Sequence, residues 1–501
     1  MARVAASEIL EEDEAVGLTD RVRGAILWRS GSQIVAQLVM WSATFVVIRI
    51  LEPSDYGLFA MTQVILVLLN LINGCGFASA LVRQEQVTER QIRQVFGMLI
   101  LVNFGLGALQ FALSPIAVAY YRQPIVGEML RAQALLYLFT PFIALPQALL
   151  GRRIDFRRQG QVHLISAVMS ASTALACASA GFGVWTLVAA PVVLFGTQAV
   201  ALTLLARSFV LPSFRFAGAG QLFRYGGTMA AVQIFWFVQS QSDIFIAGRL
   251  FDPHDLGLYT TSLFLTQILA AKFVPPINEV SFAAYSRLQS RPDAVAESFL
   301  RAVRLVLLIA LPFYFGLAAT AEPLVLTVLG DKWAATVPLV RTLALAMPFM
   351  TLQILFAPAV NALGKPRIPL RVAMAGAAIM PICFLVGVQF GEIGMARAWL
   401  VAFPLLLAVT AALSLPVIGA SARQLGGAII PGLAASAAMA GGVVLLDRLL
   451  PALAPQPRIA LLVAFGIAAY AGLLLAFARP LVDEVLGLVI RRSPPAAAQA
   501  L

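Results

Sequence analysis

The chain has 501 residues, of which 60% are hydrophobic and only 12% charged, about half the charged share of a soluble domain, so it is an integral membrane protein. Its net charge of +11 fits anionic lipid headgroups as well as nucleic acid; the placement of the cations assigns it to the membrane, and no nucleic-acid partner is expected. Cys75, Cys177 and Cys383 lie far apart, and His163 and His254 are read as standing away from cysteines and paired carboxylates, so disulfide, zinc and haem chemistry is not expected.

Residues 1–29 read as a cytoplasmic N-terminal tail. Glu8, Glu11, Glu12, Asp13 and Glu14 occupy the place where a cleavable signal needs cations, so none is expected. Apolar stretches of about 20 residues, each enough to cross a bilayer core of ~30 Å, then recur near 30–50, 56–82, 95–120, 129–150, 161–181 and 184–206. They form an N-lobe over 30–206. Its first span carries the stripe Gln33, Gln37 and Thr44, and its second the amides Asn70 and Asn73; both sets suit either the wall of a sugar path or hydrogen bonds between helices. A cytoplasmic inter-lobe loop, 207–226, leads to a C-lobe over 227–417, with spans near 227–250, 257–283, 301–320, 335–362, 369–390 and 394–417. Two additional spans, near 427–447 and 458–478, fill 418–478, and 479–501 is a cytoplasmic tail of disordered composition. The expected fold is all-α, a polytopic membrane bundle of about 14 transmembrane helices in two pseudo-symmetric six-helix lobes plus two C-terminal helices.

An even number of spans puts both termini on one side. With that side cytoplasmic, the inner segments hold cation clusters such as Arg152, Arg153, Arg157 and Arg158, while the outer loops hold only Arg122, Lys332, Arg448 and Arg458, as the positive-inside rule requires. Residues 49–58 read RILEPSDYGL and, 200 positions later, residues 249–258 read RLFDPHDLGL. Upstream, Gln33, Ile34, Ser42 and Phe45 return as Gln233, Ile234, Ser242 and Phe245, and a weaker echo pairs Arg131 with Arg341. The repeat is parallel, which makes the cleft between the halves the expected substrate site. The Pro-x-Asp-x-Gly element also has a local reading, in which proline fixes φ and Asp55 or Asp255 caps the next helix.

Six cations remain within spans or at their ends: Arg49, Arg131, Arg249, Lys272, Arg341 and Arg397. A cation at mid-bilayer costs ~2.5–3.5 kcal/mol, so such residues face a cavity or snorkel. Arg49, Arg249 and Arg397 stand within a turn of the outer end, Arg131 and Arg341 one or two turns in, and Lys272 reads as the deepest, beside Gln267 and Pro275-Pro276. All six are candidate substrate-binding residues for an anionic head group. Asp243 is the one acid well inside a span and shares a helix face with Gln239. It is the candidate ion-coupling residue, taking up a proton or Na⁺ or pairing with Lys272 of the next span. Gln33, Gln37, Gln239, Asn70 and Asn73 are the candidate cavity lining. With no phosphate-binding, zinc-peptidase or Asp-x-Asp motif present, neither enzymatic chemistry nor a metal site is expected.

RILEPSDYGLFAM after the first span, SDIFIAGRLFDPHDLGLYT around the seventh, VLGDKW at 328–333 and NALGKPR at 361–367 together resemble oligosaccharide-lipid flippases of the Wzx type, in the multidrug/oligosaccharidyl-lipid/polysaccharide exporter superfamily. The resemblance spans about residues 28–480. It implies two six-helix lobes around a central cationic cavity, alternating access, and passage of a polyprenyl-pyrophosphate-linked oligosaccharide from the cytoplasmic to the outer leaflet of a bacterial inner membrane, for lipopolysaccharide or exopolysaccharide synthesis. The implied partners are that lipid-linked oligosaccharide, membrane lipids, and polysaccharide polymerase and export machinery; no cofactor is implied beyond a coupling H⁺ or Na⁺. Two other readings stand beside it. A drug/cation antiporter of the same fold needs more cavity acids than Asp243, and an integral-membrane polysaccharide polymerase or ligase needs a large periplasmic loop.

Overall fold

Lipid offers no partner to a backbone N–H or C=O, so a spanning chain closes its hydrogen bonds within each segment. The computed structural model describes residues 28, 31–73, 88–152, 156–206, 210–214, 220–451, 453–477 and 479, and among them the regular elements are helices, with no strand. α1 is Gly31–Ile50. It is followed by α2 (Pro53–Asn73), α3 (Glu89–Tyr121), α4 (Pro124–Gln133), α5 (Leu135–Arg152), α6 (Phe156–Ser179) and α7 (Trp185–Ala206). The next helices are α8 (Gly220–Leu250), α9 (Pro253–Leu288), α10 (Pro292–Ala319), α11 (Ala321–Val328), α12 (Val337–Ile354) and α13 (Phe356–Ala362). The last four are α14 (Arg367–Gly387), α15 (Gly391–Ile418), α16 (Ala422–Leu449) and α17 (Pro455–Phe477).

Among the described residues, 11 segments are long and apolar enough to cross a membrane, so the all-α polytopic class holds. One of them, Arg367–Ile418, runs for 52 residues, far beyond the ~20 that a bilayer needs. It is a hairpin: the 3₁₀ turn Val388–Phe390 and Gly391, at φ +73°, reverse the chain between α14 and α15. Gly387 and Gly394 let the two arms close, because a Cβ on either would strike the backbone of the other. α8 and α9, where the seventh and eighth spans are expected, have 31 and 36 residues. They have the length to cross at ~1.5 Å per residue, and their polar side chains keep them out of the apolar set.

Prolines create ties between helices. Pro146 and Pro312 inside helices, and Pro358 at the start of α13, leave the carbonyl four residues earlier without its N–H. A neighbouring side chain takes each one: Thr203 Oγ1 donates to the Phe142 carbonyl at 3.2 Å, Tyr470 Oη to Leu308 at 2.8 Å and Asn278 Nδ2 to Ile354 at 3.4 Å. α16 and α17 are clamped by a two-pronged pair from Arg458 to Asp447, at 2.7 and 2.9 Å.

The chain divides into two compact units, Met1–Ile234 and Phe235–Leu501, with the division inside α8. The repeat survives as one turn used twice. α1 and α8 end at Ile50 and Leu250, and α2 and α9 start at Pro53 and Pro253. The Leu51 N–H donates to the Val47 carbonyl at 2.9 Å, and Phe251 N–H to Ala247 at 2.8 Å. Capping is where the two turns part. Asp55 Oδ2 accepts the Glu52 N–H at 3.1 Å, but in the second turn the cap is Asp252, whose carboxylate accepts the Asp255 N–H at 2.9 Å. Asp255 is the capped residue and not the cap.

Candidate functional site

In the first unit, α1, α5, α6 and α7 line a cavity of about 670 Å³ where α5 ends and α6 begins. The helices meet closely there because Gly160 has no side chain; a Cβ at that position would strike the hydroxyl of Ser32. Gln33 and Gln37 of α1 stand in the wall with Gln147 of α5, Gln159 and His163 of α6 and Gln198 of α7. Among the described residues, no Lys, Arg, Asp or Glu lines the cavity. The wall is braced by its own groups, since Gln159 Nε2 donates to the Gln147 carbonyl at 2.9 Å. Close by, the guanidinium of Arg157 lies over the ring of Trp28, 5.2 Å from its centroid.

Two of the five expected lining residues, Gln33 and Gln37, are therefore in a cavity. Their four partners in the wall, Gln147, Gln159, His163 and Gln198, are not among the expected residues, although Gln159 and His163 sit one helical turn apart in the sequence. Asn70 is exposed on α2 and is not part of this wall. Asn73 ends α2, and its side chain lies outside the described residues. Gln239 packs instead: it is seated against Gly376 of α14, where a Cβ would run into its amide.

The second unit holds a sealed polar chain. Asp243 is only 3% exposed. Its Oδ2 accepts the Tyr259 hydroxyl at 3.0 Å, and that hydroxyl accepts the Trp399 Nε1–H at 2.7 Å. An indole N–H can only donate, so the tyrosine oxygen receives it and turns its own proton toward the carboxylate. Tyr259 and Trp399 are buried too, and Phe384 and Phe403 pack on the indole with ring centroids 5.8 and 5.0 Å away. Asp243 Oδ1 has no hydrogen-bond partner of standard geometry.

The expected partner of Asp243, Lys272, is not the one it finds. Asp243 and Tyr259 lie 8 residues to either side of Phe251 in the α8–α9 turn, so they meet at one level. Lys272 is farther down α9, by about 20 Å at ~1.5 Å per residue. Counted from Pro253 it stands about 28 Å along the helix.

The six cations are carried by six different helices. Arg131 is held by α3, donating Nε to Ser114 Oγ at 3.0 Å with its guanidinium 5.5 Å from the centroid of the Phe111 ring. Its repeat counterpart Arg341, like Lys272 and Arg397, is exposed and forms no ion pair among the described residues. Arg49 is exposed and Arg249 half-buried, each beside one copy of the repeated turn. His254 corrects the expectation that neither histidine neighbours paired carboxylates. It sits between Asp252 and Asp255, with Nδ1 3.3 Å from Asp255 Oδ1 and one ligand atom from each of the three residues within 4.8 Å of the others.

Residues 46–338, well over half of the chain, match the family described as "Polysaccharide biosynthesis protein". The chain belongs to that family. Among relatives of this polysaccharide biosynthesis protein, the "Succinoglycan biosynthesis transport protein ExoT" of Rhizobium meliloti is 27% identical over 357 residues, 70% of this chain and 71% of the relative. The "Teichuronic acid biosynthesis protein TuaB" of Bacillus subtilis is 22% identical over 281 residues, 56% of this chain and 58% of its own length. The "Lipopolysaccharide biosynthesis protein WzxC" of Escherichia coli is 21% identical over 308 residues, 60% of this chain and 61% of its own. In fold, the chain is similar to the lipid II flippase MurJ in an inward closed conformation, with a TM-score of 0.73 at 12% identity, over 91% of this chain and 100% of that one. A multidrug resistance MATE family transporter in an inward-facing conformation gives a TM-score of 0.53 at 15% identity, over 78% of this chain and 98% of the other. The family match and the long apolar helices make this polysaccharide biosynthesis protein a multi-pass membrane protein.

Proposed function

We propose that the protein is a flippase that carries a polyprenyl-pyrophosphate-linked oligosaccharide repeat unit from the cytoplasmic to the outer leaflet of a bacterial inner membrane, by alternating access, for lipopolysaccharide or exopolysaccharide synthesis. The family match over residues 46–338 carries this reading. A polyprenyl tail dissolves in the bilayer and a sugar-pyrophosphate head does not, so the carrier has only to shelter the head while the tail stays in lipid. An inside-negative potential favours the outward step by ~2.3 kcal/mol per negative charge per 100 mV. Both termini are assigned to the cytoplasm by the distribution of cations. A drug/cation antiporter would use carboxylates on its path, and among the described residues the lining of the first unit's cavity contains none.

Lys272, Arg341 and Arg397, exposed and without ion pairs among the described residues, are available to the pyrophosphate, as guanidinium and ammonium groups suit phosphate oxygens. Arg249, Arg49 and Arg131 complete the set of candidates, with Arg131 the least available because Ser114 and Phe111 already hold it.

The test is made in cells that depend on this chain for their surface polymer. Removing it should trap the lipid-linked repeat unit where an externally added glycosidase cannot reach it, and restoring it should make the unit accessible. Lys272→Ala should lower polymer export by about tenfold or more at normal membrane level, with Lys272→Arg retaining part of it. If loss of the chain leaves the repeat unit equally accessible from outside, the flippase reading is wrong.

A further inference from the structure

The cavity of the first unit has a chemistry that the pyrophosphate does not explain. Gln33, Gln37, Gln147, Gln159, Gln198 and His163 project from four helices into one volume of about 670 Å³, within the ~300–1,000 Å³ of ordinary small-molecule sites. Each glutamine offers two N–H donors and a carbonyl with two lone pairs, which is the complement of a sugar hydroxyl that both donates and accepts. Among the described residues, no carboxylate, ammonium or guanidinium is part of the wall. A charged ligand would therefore give up its hydration there without a countercharge, which is costly, whereas a neutral polyol exchanges water hydrogen bonds for amide ones. Met40 and Phe156 supply apolar surface to the same wall, suited to the C–H faces of a sugar ring.

We infer that this cavity binds uncharged, hydroxyl-rich sugar rings of the transported head group, at a place separate from the cations that meet the pyrophosphate. The inference deepens the flippase reading and rests on it for the source of the sugar. It assigns the selection of neutral sugars to one wall within the first unit. A site built to hydrogen-bond hydroxyls discriminates strongly against ligands that leave its polar groups unmatched.

The full chain, reconstituted in lipid nanodiscs, is titrated with a neutral tetrasaccharide of glucose and galactose, with its glucuronate-containing counterpart and with inorganic pyrophosphate, read by saturation-transfer NMR. The neutral tetrasaccharide should bind best. Gln37→Leu with Gln198→Leu should weaken it by about 25-fold, since each lost amide removes a net hydrogen bond of ~1 kcal/mol, while pyrophosphate binding elsewhere stays unchanged. Should the double variant fail to fold, Gln37→Ala and Gln198→Ala taken singly should each weaken binding by about fivefold. Unchanged tetrasaccharide binding in folded variants, preference for the glucuronate probe, or no binding of the neutral probe by the wild-type chain would overturn the assignment. Polymer export separates the two proposals. A wild-type chain that binds the tetrasaccharide but moves no lipid-linked sugar sinks the flippase reading alone, and glutamine variants that lose binding yet export normally sink this one alone.

Discussion

Position for position across the 200-residue repeat, Ala43 and Phe59 stand in the first unit where Asp243 and Tyr259 stand in the second. The backbone around them is the same: the two turns start and stop in register and make the same Leu51–Val47 and Phe251–Ala247 hydrogen bonds. What differs is chemistry. Ala43 is buried without any polar need, and the polar groups of α1 lie nearer its start, at Gln33 and Gln37, where they face an open cavity. In α8 the polar group lies nearer the turn and is closed off under Tyr259 and Trp399. One scaffold has thus been given a receiving surface in one copy and a buried ionisable group in the other. A neutral amide wall can bind and release without changing charge. A buried carboxylate in a membrane segment is expensive, and its retention there calls for a use.

The largest effect should come from erasing that difference. Asp243→Asn keeps the shape and the acceptor for Tyr259, so it should reach the membrane at normal level and still abolish export if Asp243 exchanges the coupling ion, proton or Na⁺, during the cycle. Normal folding with normal export would leave Asp243 a spectator.

The next effect is on stability. Tyr259→Phe leaves the carboxylate of Asp243 buried without its donor and the Trp399 N–H without its acceptor, and should cost about 3 kcal/mol or more, because an unmatched buried group loses its full hydration. Adding Asp243→Ala installs the pair of the first unit, Ala and Phe, and should recover most of the loss, with only the indole N–H still unmatched. Thermal melting of the detergent-solubilised variants reads this. Additive losses in the double variant would show that the two side chains do not act as a pair.

Spans were legible in the sequence because bilayer thickness imposes a length and composition that any window of ~20 residues reveals. α8 and α9 were legible in the same way, with a weaker apolar signal because Asp243, Lys272 and their polar neighbours dilute it, and the repeat then put the first and seventh spans in correspondence. The partner of Asp243 was misread because opposite charge was weighed and level was not. In a hairpin, residues equally far from the turn face each other, and that rule selects Tyr259 over Lys272. Trp399 has no local signal at all, as it comes from α15, 140 residues away from Tyr259. The amide wall was half legible. Gln33 and Gln37 announce themselves as a stripe on an apolar helix, and Gln159 with His163 forms a second such pair, whereas Gln147 and Gln198 look like single polar interruptions until folding gathers them. His254 was misread for a simpler reason: its two aspartates lie within two residues of it in the chain, but one of them was read only as a helix cap.

The smallest predicted effect concerns the turns themselves, where the two halves share one motif between them. A complete capping box has the N-cap side chain bonding the N–H three residues on, and the side chain three residues on bonding back to the N-cap N–H. The first turn keeps the backward bond, from Asp55 to Glu52, and the second keeps the forward one, from Asp252 to Asp255. Asp55→Ala and Asp252→Ala should therefore each cost about 1 kcal/mol, the usual loss for a helix cap. Asp255→Ala should cost only a few tenths, because its backbone N–H, and not its carboxylate, is what the cap uses. Melting temperatures in detergent, compared at equal protein and lipid, decide it. If Asp255→Ala lowers the melting temperature as much as Asp252→Ala, the assignment of the cap to Asp252 is wrong, and the two turns differ in sequence without differing in how they close.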